Sequence, residues 1–84
     1  QGAAYAYATM NDPETQEKAA QNFEKAINLG FKTFNNYFTL GIIKANLGDF
    51  FAAEKYIKKA LEINPDSQNA KAVLETIERK LHLQ

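Results

Sequence analysis

Residues 19–29 come back 34 positions later. Ala19 is matched by Ala53, Phe23 by Ile57, Lys25 by Lys59, Ala26 by Ala60 and Leu29 by Ile63, without a gap. Both copies place small and large apolar residues at helical spacing on one face and polar residues opposite, the pattern of an amphipathic helix. A fixed period of this length with a two-helix unit is the mark of a helical solenoid, in which each hairpin buries its apolar face only against its neighbours. That constraint excludes a sheet-based fold for most of the chain.

The stop and start signals divide the chain. Asn11-Asp12-Pro13-Glu14 predicts a helix start, with Asp12 as cap and Pro13 at the first helical position. The helix runs to about Asn28, with Ala19, Phe23, Ala26 and Ile27 on its buried face. Gly30 closes it in the left-handed conformation, with Phe31 folding back on the last turn. Thr33 or Asn35 caps the next helix, which continues to about Leu47. Gly48 supplies the positive φ that ends it, and Asp49 caps a helix over Phe50–Ile63 that buries Phe50, Ala53, Ile57, Ala60 and Leu61. Asn64-Pro65 stops that one, because the residue before proline is driven from the helical region. Asp66 or Ser67 then starts a last helix to about Leu81. Residues 2–10, GAAYAYATM, read as a further short helix, apolar on several sides.

Tyr37, Leu40-Gly41, Gly48-Asp49-Phe50, Ala53, Ile57, Ala60-Leu61 and Pro65 together resemble the tetratricopeptide repeat family, with one full unit over residues 34–67. Gly41 and Ala53 are the small residues that let the two helices of a hairpin approach closely. Two positions depart from the family pattern: Ile57 stands where an aromatic is more common, and so does Lys44, whose stem is expected to cover the core while its amine reaches water. The resemblance implies an all-α fold, a right-handed helical-repeat superhelix of about five antiparallel helices in a single domain over residues 1–84. Within it, 1–31 is a divergent repeat and 68–82 a capping helix. A shift of 34 back from Gly41 lands on Tyr7, too large for a close crossing, so the first turn is expected to hold extra residues. A shift forward lands on Glu75, which a tight crossing excludes, so the array is expected to stop there. A start at Gln1-Gly2 points to a fragment of a longer protein.

Chemistry has little to stand on. There is no cysteine, the one histidine is His82, and no glycine-rich phosphate loop is present. Glu14 with Glu17 and Glu75 with Glu78 are carboxylate pairs at helical spacing with nothing convergent beside them, which reads as solvated helix surface. The expectation is therefore no enzyme, no cofactor and no metal. Ten basic residues balance ten acidic ones and are interspersed with them, so no long-range field draws the chain to nucleic acid or to an anionic membrane. Lys55, Lys58 and Lys59 read as ordinary convex surface. No run is long and apolar enough to insert in a bilayer, so the chain reads as soluble; the compartment is not determined, with the cytoplasm slightly favoured.

Binding is the better argument. In a solenoid of helix pairs, the residues of each first helix that turn away from the hairpin core line a concave groove. They are Asn35, Phe38, Thr39, Ile42, Ala45 and Asn46 on the helix after Thr33, with Asn69 and Val73 on the last helix. The hairpin core claims neither Phe38 nor Ile42: either they pack against the first helix or a neighbouring molecule, or they form an apolar floor suited to a mainly apolar or amphipathic peptide or partner helix. The family's recognition of acidic chain ends uses Lys, Arg and Asn projecting into the groove. The matching places here hold Phe38, Thr39, Ile42, Asn69 and Val73, of which only Asn69 is of that kind, so a non-catalytic interaction scaffold with an apolar ligand is expected instead. The alternative is a structural module that docks or self-associates through the apolar residues 2–10.

Overall fold

The structure is a computed structural model and describes residues 13–83. Four helices make up those residues: α1 (Pro13–Asn28), α2 (Phe34–Asn46), α3 (Phe50–Ile63) and α4 (Gln68–His82). No strand occurs among the described residues. Consecutive helices pack as neighbours, and α2 also touches α4. The expected helix over residues 2–10, the Asp12 cap, the register around Tyr7 and the docking role of that segment lie outside the described residues.

Local signals set the boundaries. Both turns flanking α2 use the same closure. After α1 the Phe31 N–H donates to the Ala26 carbonyl (3.0 Å) and the Gly30 N–H to that of Ile27 (3.0 Å). After α2 the Asp49 N–H donates to Lys44 (2.9 Å) and the Gly48 N–H to Ala45 (3.0 Å). This double closure requires a left-handed residue, and glycine provides it, at φ +107° for Gly30 and +87° for Gly48. Thr33, Asp49 and Ser67 then cap α2, α3 and α4, each side-chain oxygen accepting from the N–H three residues on, at 3.1, 3.2 and 3.2 Å. Asp49 serves twice, closing one helix with its N–H and opening the next with its carboxylate. The turn can for that reason be as short as Leu47-Gly48-Asp49.

Two apolar clusters flank the α2–α3 hairpin. The first joins Ala19, Ala20 and Ile27 of α1 to Tyr37, Leu40 and Ile43 of α2 and Ala60 of α3. The second joins Ala53 and Ile57 of α3 to Ala70 and Ile77 of α4. Phe34 and Phe38 pack against both, their rings stacked at 5.4 Å between centroids and 11° between planes. Tyr37 and Tyr56 stack across α2 and α3 at 6.4 Å. The Lys44 amine does not simply reach water: it pairs with Glu24 of α1 at 3.2 Å. The ion pair joins α1 to the α2–α3 hairpin. Both side chains are half-buried, at 20% and 34% exposure, and the pair fixes where α1 lies against α2.

Some expected burial does not occur. Phe31 is 60% exposed; its N–H folds back on α1, while its ring does not. Phe50 and Leu61 are partly buried rather than core, because they sit where α3 meets the edge of α4. Gln16 and Ala20 are buried instead, which widens the packed face of α1 beyond the residues that periodicity singled out.

Candidate peptide-binding groove

A depression lies where α2, the start of α3 and α4 meet. Ile42, Ala45 and Asn46 of α2, Phe50 at the start of α3, and Val73 and Ile77 of α4 line it, around a volume of about 330 Å³. Ala72 and Thr76 complete its α4 wall. The spacing is dictated by the two helices: 42, 45 and 46 fall on one stripe of α2, and 72, 73, 76 and 77 on one stripe of α4. Polar groups are confined to Asn46 and Thr76, and both residues are exposed.

Its apolar residues are not equivalent. Val73, Phe50 and Ala45 pack against the second core cluster, and Ile77 belongs to it at 2% exposure. Ile42 is partly buried and, among the described residues, packs against neither cluster. Its side chain is thus the large apolar group in the depression that neither cluster uses, with the exposed Ala72 across from it on α4.

Of the residues expected to line a groove, four come together here: Ile42, Ala45, Asn46 and Val73. Thr39 does not belong with them. It is 1% exposed, and its Oγ1 has no hydrogen-bond partner among the described residues; it is an interior side chain, and the groove expectation for it is corrected. Phe38 is committed to the scaffold through Phe34 and both clusters, so it is no open floor. Asn35 and Asn69 are exposed and lie outside the lining of this depression. Conversely, Phe50, Ala72, Thr76 and Ile77 were missed. A helical stripe extended from Val73 by three and four residues finds Thr76 and Ile77; no sequence signal places Phe50, since that depends on how α3 enters against α4.

What the site offers is shape and apolar surface with two hydrogen-bonding groups beside it. Among the described residues no three His, Cys, Asp or Glu side chains cluster to hold a metal ion, and no helix is long and apolar enough to cross a membrane.

Residues 34–67 match the family model described as the tetratricopeptide repeat. The chain is also similar to the mitochondrial fission 1 protein of Candida albicans, 40% identical over 45 residues, which is 54% of this chain and 28% of that protein. The chain thus spans under a third of the length of the relative it matches. No solved structure matches it significantly. Repeats of this family are in general non-catalytic scaffolds for protein–protein interaction. The matched bounds take in α2, the Leu47-Gly48-Asp49 turn, α3 and the Ser67 cap, and residues 34–67 of this chain are a tetratricopeptide repeat.

Proposed function

We propose that the domain is a non-catalytic scaffold that binds an apolar or amphipathic peptide of a protein partner in the depression between α2 and α4. The observation that carries this reading is Ile42, an apolar side chain that lines the depression and is not spent on either core cluster. A hollow of about 330 Å³ is at the small end of ligand pockets and suits one or two anchoring side chains from a peptide, the arrangement in which a few buried contacts dominate affinity. Asn46 and Thr76 then meet the peptide's polar groups at the edge. On this reading α4 closes the array: Glu75, which stands 34 residues after Gly41, is exposed and pairs within its own helix with Arg79 at 4.0 Å.

The test is selection of peptides from a random library on the 84-residue chain, followed by titration of the winners against Ile42→Asp. Selected peptides are expected to share apolar anchors and to lose at least about tenfold in affinity on the variant, equivalent to about 1.4 kcal/mol, while the circular dichroism melt is nearly unchanged. Peptides that bind the variant as well as the parent would refute the site.

A further inference from the structure

A second hollow, sharing no lining residue with the first, collects lysines that have no carboxylate partner among the described residues. It lies between α1, the α1–α2 turn, α2 and α3, holds about 320 Å³, and is lined by Glu24, Lys32, Tyr37, Lys55, Tyr56 and Lys59 among others. The ion pairs of the described residues are Lys44–Glu24, Lys58–Glu54 and Arg79–Glu75. Of the basic run on α3, Lys58 therefore turns to Glu54 at 3.6 Å, whereas Lys55 and Lys59 turn to the hollow, where Lys32 joins them. Lys55 and Lys59 are one helical turn apart, a like-charge spacing that opposes the helix unless an anion lies between.

The surroundings sharpen this charge. Glu24 is the one carboxylate in the lining, and Lys44 already offsets it at 3.2 Å. The Lys55 amine stands 5.0 Å from the centre of the Tyr56 ring, which directs it along the wall. Burial, aided by the charge of Glu24, pushes the Tyr56 phenol above its ordinary value, so its hydroxyl stays protonated and can donate. Three ammonium groups with a neutral phenol suit a compact multiply charged oxyanion, to which lysine binds as a point charge. A flat anionic surface fits less well: the lysines sit around a concavity, and the balanced net charge of the chain gives no general attraction to a membrane.

We propose that this hollow binds a phosphate monoester carried on a phosphorylated side chain of a protein partner, with Lys32, Lys55 and Lys59 supplying the charge. The proposal does not depend on the apolar depression, and a separate variant tests each. The isotopically labelled chain is titrated with a glycine-flanked phosphoserine peptide, its unphosphorylated twin, inorganic phosphate and phosphatidylserine vesicles, with amide shifts read at Lys32, Lys55, Tyr56 and Lys59. Expected are shifts with the phosphopeptide, at least tenfold weaker binding of the twin, weakening as salt rises, and at least tenfold loss in Lys55→Gln/Lys59→Gln. Lys32→Gln, in the turn outside the helices, is a second variant expected to weaken binding in the same direction with the fold intact. Equal binding of the twin, undiminished binding by the variants, or binding confined to vesicles would overturn the site. Inorganic phosphate bound as tightly as the peptide would overturn the assignment to a partner's side chain.

Discussion

A methyl group added at Gly41 would lie 2.5 Å from Cδ1 and 2.7 Å from Cγ1 of Ile57, and 3.4 Å from the Ala53 carbonyl. Ile57 and Ala53 are both fully buried, so the isoleucine has no solvent to swing into and α2 must move off α3. Gly41→Ala is expected to cost about 1–3 kcal/mol, the range of overpacking in a filled core, and each kcal/mol lowers the melting temperature of a chain this size by about 4–8 °C. A thermal melt checks it; an unchanged midpoint would show that the crossing has slack. The need for a small residue here was implied by the resemblance to the repeat family, in which Gly41 and Ala53 are the small pair at the helix crossing. The identity of the neighbour, Ile57, where the family more often has an aromatic, is what fills the remaining space. Thr39, two residues earlier, shows the limit of such reading. Its small polar side chain looked like a groove residue, and only the packing of the molecule shows it to be buried.

At the level of the element, helix limits were legible because they are made by local chemistry. Pro13–Asn28 and Phe50–Ile63 are observed where the start and stop signals put them, and Thr33, Asp49 and Ser67 act as caps through bonds spanning three residues. No tertiary contact is needed for such bonds. Asp49→Ala removes the carboxylate that accepts from the Ala52 N–H and is expected to cost about 1 kcal/mol, within the usual range of about 0.5–2 for a lost cap. Asp49→Asn, which keeps an accepting oxygen, is expected to recover most of it; denaturant unfolding of the two variants side by side distinguishes the cap from a general charge effect. Side-chain placement at element ends was less legible. Leu29 and Ile63 repeat at the 34-residue interval, yet they are 72% and 48% exposed, because helix ends project past the neighbours that would cover them.

Over the whole molecule, the two clusters on either side of the hairpin are tied by Phe34 and Phe38. Phe38→Ala is expected to cost about 2 kcal/mol, short of the about 3–5 for a fully buried phenylalanine because its ring is only partly buried. Ile42→Asp, one turn on, is expected to leave the melt nearly unchanged. Measured together, the pair separates scaffold from site, a distinction that the sequence did not make: both residues are large, apolar and on the same side of α2. By itself the sequence determined the helices of the described residues, the Asp49 cap and the repeat over residues 34–67, since these follow from interactions within about one repeat length; between Thr33 and Asn35, and between Asp66 and Ser67, the structure made the choice of cap. Which apolar residues remain for a partner, and which lysines go without a carboxylate, was decided only by the tertiary structure. Both are differences between a residue's chemistry and what its neighbours from other helices leave unsatisfied, and those neighbours are fixed by how α1 and α4 pack against the hairpin.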